Sequence, residues 1–246
     1  KQKTAYEIAS CLVGSVMVFS TTHGIVSARA ERIFMERYFG TYQTFRTVSK
    51  KDAAVLMGSN TLVGDRYRIN LTMDEGVHRA WLINKFNETI GYFDDGFSRE
   101  LSLFAAEGLE LVGILSFVAF TETPEPGEYW GQVAVIGYSP HYTEEFNRFI
   151  DGVCGLIGKG IRPKLALNGP AVDEIINSNG TWLPSEREPL PEKQRGMALL
   201  KTRRGFIDGL VETGRTGNKG CYILSWAFLL ALVAAIIIGL KSCGVF

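Results

Sequence analysis

The sequence contains no C-x-x-C pair, no glycine-rich phosphate loop followed by Lys-Ser or Lys-Thr, and no G-x-S-x-G. The first absence excludes a zinc knuckle or a dense disulfide framework, because Cys11, Cys154, Cys221 and Cys243 lie far apart. The others exclude a P-loop nucleotide site and a nucleophile elbow. Histidine is scarce, with three residues and no nearby cysteine partner. His141 shares a helical turn with Glu144 and Glu145, but the plainer reading is a solvated first turn with acids near a helix N-terminus. Glu122, Glu125 and Glu128 fall on a Pro/Gly-rich loop, where fixed carboxylate spacing is rare. No metal ion, no cofactor and no catalytic residue is expected, and a binding or scaffolding role is favoured over an enzyme.

Net charge is also lacking: 26 Lys/Arg balance 26 Asp/Glu. The balance hides an asymmetry. Residues 1–192 carry 18 basic and 24 acidic side chains, whereas residues 193–219 carry 7 basic and 2 acidic ones. Nucleic-acid binders concentrate cations on the domain itself, so nucleic acid is not the expected partner.

What the chain does have is one long uncharged run, Cys221–Leu240, between Lys219 and Lys241. At ~1.5 Å per residue such a helix spans about 30 Å, the thickness of a bilayer core. Tyr222 and Trp226 suit the interface. A transmembrane helix over 220–241 is therefore expected, with membrane lipid as a partner. Lys201, Arg203, Arg204, Arg215 and Lys219 precede it, which places the globular part in the cytoplasm by the positive-inside rule. The same five cations are candidates for contact with anionic lipid, or serve only as topology determinants. Ala227, Ala231, Ala235 and Gly239 form a small-residue strip suited to helix pairing, hence a homodimer through the membrane segment. A competing reading takes residues 1–30 as a signal peptide, with SARA at 27–30 as its cleavage site, and the domain as exported. Glu7 and the distance from the apolar stretch to SARA weigh against it.

Ahead of the run, hydrophobic period predicts an α+β fold. Val26, Ala30, Ile33, Phe34 and Tyr38 recur at helical spacing, with Gly40 ending the helix. Tyr67, Ile69 and Leu71 alternate along a strand over 65–72. Strands are predicted at 79–83, 89–93, 109–121 and 129–138. A helix capped by Ser98 is predicted to run to Gly108. Another begins at Ser139-Pro140, with Tyr142, Phe146, Phe149, Ile150, Val153, Leu156 and Ile157 in its core stripe. Short elements follow, a strand at 164–167 and a helix at 170–177. A linker and an amphipathic helix over 197–212, with Leu199, Leu200, Phe206, Ile207, Leu210 and Val211 on one face, complete the expectation. The domains so drawn are an N-terminal helical segment (1–64), an α+β core (65–180), a basic juxtamembrane segment (181–219) and the membrane helix.

The stretches YRINL (67–71), AWLIN (80–84), TIGYF (89–93) and SRELSLFAAEGLELVGILSFV (98–118) resemble HIRAN-type small β-barrel domains. The resemblance implies a barrel-like sheet with packed helices, and a nucleic-acid-binding module held at the membrane. MDEG and NKFNE do not reproduce that family's acidic, asparagine-rich stretch before the third strand. The whole chain also resembles uncharacterised single-pass bacterial membrane proteins carrying YWGQVAVIGYSP, GIRPKL and GNKGCYILSWAFLL segments, which implies no activity. From the residues alone, Trp81, Tyr92, Tyr129 and Trp130 are the candidates for an aromatic platform that takes a base or a peptide. Core packing is their plainer reading. No protein partner is named by the sequence.

Overall fold

The computed structural model describes residues 37–47, 50–58, 60–122, 127–192, 195–205 and 226–233. Its strands are β1 (Tyr38–Arg46), β2 (Arg66–Asp74), β3 (Val77–Ile83), β4 (Thr89–Tyr92), β5 (Glu110–Thr121), β6 (Glu128–Tyr138) and β7 (Met197–Lys201). The helices are α1 (Lys50–Met57), α2 (Asp95–Ala106), α3 (Thr143–Gly158) and α4 (Gly169–Asn177). All strand pairs are antiparallel, in the order β2-β3-β4-β1-β6-β5. Arg66, Tyr67 and Arg68 of β2 pair with Ile114, Gly113 and Val112 of β5, which closes a six-stranded barrel. β7 lies on the same edge of β5 farther along, from Thr121↔Met197 to Val118↔Lys201. The expected α+β fold with a small barrel is what the described residues form.

Closing a sheet on itself leaves an inside and an outside, and both are packed. The interior holds Phe45, Tyr67, Leu82, Ile90, Phe93 and Val133, among others. α2 plugs one end with Phe97, Leu101 and Phe104. A second core lies outside, where α3 and α4 cover β1 and β6. There Phe146 stacks on Tyr38 and Tyr138 at 5.6 and 5.3 Å. Of the predicted stripe, Phe146, Phe149, Ile150, Val153 and Ile157 of α3 are fully buried, while Leu156, and Tyr142 just before the helix, are half-buried. β2 keeps the predicted alternation, with Tyr67 buried and Ile69 and Leu71 packed against the interior.

Five expectations are corrected. Tyr38–Arg46 is a strand, so the helix ending at Gly40 does not reach this segment; residues 1–36 lie outside the described residues. The core therefore begins before residue 65, because β1 bridges β4 and β6. Residues 197–201 form β7 and not a helix, because β5 presents an unpaired edge to them. On that strand Leu199 is half-buried and Leu200 exposed, so they do not share a face. Asp94, not Ser98, caps α2, accepting from Phe97 N at 3.0 Å. Ser98 is buried one turn in, where its Oγ donates to Phe93 O and accepts from Ala80 N. Residues 164–167 form no strand; an isolated bridge, Pro163↔Arg187, ties that segment down.

Among the described residues no helix is long and apolar enough to cross a membrane. Residues 226–233 are helical, and the rest of the 220–241 run lies outside the described residues.

Candidate functional site: an aromatic and arginine row on the barrel

Strand register brings three of the four candidate aromatics into one line. Trp81 of β3 pairs with Tyr92 of β4, Tyr92 with Arg46 of β1, and Arg46 with Trp130 of β6. Directly paired residues across neighbouring strands share a face, and this is the outer face that α3 and α4 leave open. Trp81, Tyr92 and Trp130 are half-buried and Arg46 is exposed. Tyr129 is not part of the row. It points to the opposite face of β6, where its ring lies 4.9 Å from Phe120 and packs at the interior core.

Both tryptophans are held in place. Trp81 Nε1 donates to Thr72 Oγ1 at 3.0 Å, and Trp130 Nε1 donates to Thr121 Oγ1 at 2.8 Å. In each case the threonine sits diagonally on the adjacent strand, since Thr72 pairs with Arg79 and Thr121 with Glu128. Fixing a ring before a ligand arrives lowers the ordering cost of binding. The Trp81 and Tyr92 ring centroids are 5.7 Å apart. The Arg79 guanidinium lies 5.1 Å from the Tyr92 centroid and 5.8 Å from that of Trp81, with Asp95 3.7 Å away. Arg46 makes no side-chain hydrogen bond or ion pair among the described residues. The row therefore alternates flat apolar faces with cations.

One end of this face runs under a buried arginine. Arg162, 6% exposed, donates from Nη2 to Gln132 Oε1 at 2.6 Å. Its guanidinium stacks on Tyr42 at 4.2 Å and on Phe117 at 5.6 Å, and Phe117 meets Trp130 edge-on. Among the described residues Nε and Nη1 have no hydrogen-bond partner. Burial lowers the Arg162 pKa from its ordinary value, while nearby Tyr42 and Glu188 oppose that. Arg46, Arg79 and Arg162 were missed as site residues. Only the position of Arg79 two residues before Trp81 on a strand was a usable signal.

The basic residues divide. Lys201 Nζ donates to the carbonyls of Leu56, Gly58 and Thr61 at 2.9–3.2 Å. Arg204 donates from Nε to Val63 O at 2.7 Å and pairs with Asp65 at 3.0 Å. Both hold the fold together, whereas Arg203 is exposed. Arg215, Lys219, Ala235 and Gly239 lie outside the described residues; Ala227 and Ala231 fall on the exposed helical stretch 226–233. Among the described residues no group of three His, Cys, Asp or Glu side chains converges as a metal site would require.

Beside Arg204 and Arg66, the Cys154 thiol is pushed up to about 11 by burial, a rise that Arg66 partly offsets. A thiol reacts as the thiolate, so at pH 8 Cys154 alkylates roughly a hundredfold more slowly than an unperturbed cysteine. Its rate climbs about tenfold per pH unit until near 11. Peptide mapping after iodoacetamide pulses at pH 7 to 10 measures this. A plateau near pH 9 contradicts it. Comparison with family models, curated proteins and solved structures finds no match to this chain.

Proposed function

We propose that the chain is a membrane-tethered binding module whose ligand lies across the open outer face of the barrel. The row Trp81–Tyr92–Arg46–Trp130 carries this reading. Pre-set aromatic faces separated by an unpaired arginine suit an extended segment of a partner protein that bears flat or acidic side chains. The tether is supported by the uncharged 221–240 run. The exposed helical residues Trp226, Phe228, Leu229, Leu230, Leu232 and Val233 point the same way. The basic stretch before that run argues for a cytoplasmic barrel. Pairing of the membrane helices through their small residues belongs to the same proposal and would present two barrels side by side.

The alternation of cations and rings also favours a second reading, a single-stranded nucleic acid stacked on the row, as the HIRAN resemblance implies. Residues 37–205 nevertheless carry 19 basic and 21 acidic side chains. Affinity for phosphate backbones rises with neutralised phosphates, so the peptide reading stands first.

A photo-crosslinking residue at Thr44, exposed beside Arg46 on β1, tests both. In cells carrying the full chain, Thr44 is expected to label a segment of one protein, and the Trp81→Ala/Arg46→Gln variant to lose at least nine-tenths of that label. Labelled nucleic acid would favour the second reading. Labelling that survives both substitutions would remove the row from the binding face.

A further inference from the structure

The end of α3, the turn before β2 and the chain leaving β7 enclose an open cleft of about 680 Å³. Arg66, Lys159, Arg203 and Arg204 line it, against two carboxylates, Asp65 and Asp151. Both carboxylates are engaged by the protein. Arg66 Nη2 reaches Asp151 at 2.6 Å and also donates to Asn147 O, while Nη1 donates to Asn147 Oδ1. Arg204 pairs with Asp65, and Lys85 lies 3.9 Å from Asp65 on its other side. Lys159 and Arg203 are left over. Each is exposed, and among the described residues neither makes a side-chain hydrogen bond or ion pair. They stand together: a Cβ placed on Gly160, next to Lys159, would lie 3.4 Å from Arg203 Cβ.

A helix C-terminus attracts cations, and that could account for Lys159 and Arg203 without any ligand. The hydrogen bonds of the last turn argue otherwise. Leu156 O accepts from Lys159 N and Ile161 N, Ile157 O from Gly160 N, and Gly158 O from Arg204 N. The carbonyls of the last three residues of α3 are thus capped by backbone donors. The floor is also bare, since apart from its chain neighbours and the local helix backbone no described atom lies within 4 Å of where a Gly155 Cβ would be. The result is a roomy recess with two rigid arginines in its walls and two unpaired cations at its rim.

The geometry points to this cleft as a binding site for a phosphate group. Lys159 and Arg203 contact the oxyanion, which a guanidinium and an ammonium bind through charge-assisted hydrogen bonds. Arg66 and Arg204, fixed by their own partners, add positive field from behind. A lipid headgroup and a small soluble phosphate ester offer the same chemistry. Position favours the lipid, because Arg203 and Arg204 lie in the basic stretch that leads to the uncharged run. The site does not depend on the barrel row.

The test uses the full chain in an uncharged detergent and follows phosphorus NMR shifts of three probes: short-chain phosphatidic acid, glycerol 3-phosphate and inorganic phosphate. Binding is expected, weakened at least tenfold in Lys159→Gln/Arg203→Gln and largely retained in Lys159→Arg. Arg99→Gln/Arg195→Gln removes the same charge elsewhere and is expected to bind as wild type does, as is Trp81→Ala. Tighter binding of phosphatidic acid than of glycerol 3-phosphate identifies the lipid; equal binding identifies a soluble ester. If none of the three probes binds, or if both double variants behave alike, the cleft is not a phosphate site.

Discussion

Phe146→Ala is expected to cost about 3–5 kcal/mol of stability, the upper range for removing a buried ring. Phe146 is fully buried between Tyr38 and Tyr138 and also meets Phe149 edge-on at 6.2 Å. A cavity costs less when neighbours can fall into it. Here they are held back. Tyr38 donates its hydroxyl to Leu165 O at 3.0 Å, and Tyr138 donates to Glu110 at 2.7 Å. Moving either ring breaks a hydrogen bond in a desolvated place, which also raises the pKa of both hydroxyls above the ordinary tyrosine value. Phe146→Leu, which keeps most of the volume, is expected to lose under half as much. Urea melts of the full chain in detergent, followed by circular dichroism, measure both. An alanine loss below about 1 kcal/mol would mean that the outer core rearranges freely.

Gly91→Ala is expected to destabilise the barrel by about 3 kcal/mol, although it adds a single methyl group. Gly91 lies in β4 where that strand crosses to β1. Its Cβ would run into Arg46 O and come within 2.6 Å of Phe45 Cδ2. The first obstacle is backbone and the second is a fully buried ring, so neither yields cheaply. The β1–β4 joint rests on one residue pair, Arg46↔Tyr92, so relief comes by opening the seam. Tyr92 would then leave the row it shares with Arg46. The same melts show the loss, and a fall in Thr44 crosslinking without unfolding would show the seam opening alone. An unchanged midpoint would show that β4 can step away without penalty.

The strands with one covered face were readable. Tyr67, Ile69 and Leu71 alternate because the other side of β2 is largely solvated. The α3 stripe was equally clear. β1 was not, because both of its faces carry buried side chains: Tyr38 and Tyr42 lie under α3, while Phe45 lies inside the barrel. A strand buried twice shows no period of two. β7 was misread for a different reason. Met197–Lys201 is made entirely of good helix formers, and pairing with the open edge of β5 overrides that preference. The aromatic row was legible as residues and illegible as a row. Trp81, Tyr92 and Trp130 stood out by type, but their common line depends on register across four strands, and its central member, Arg46, lies in the strand the period concealed.

Lys201 and Arg204 have a mechanical consequence. They fasten the chain to the loop after α1 just before it leaves the barrel, through three carbonyls on one side and Val63 and Asp65 on the other. A pull on the chain beyond Gly205 loads these side-chain clasps first and the β5–β7 ladder only afterwards. They act as strain relief, so tension from a tether is shared with the end of α1 and the turn before β2 and does not peel β7 from its edge.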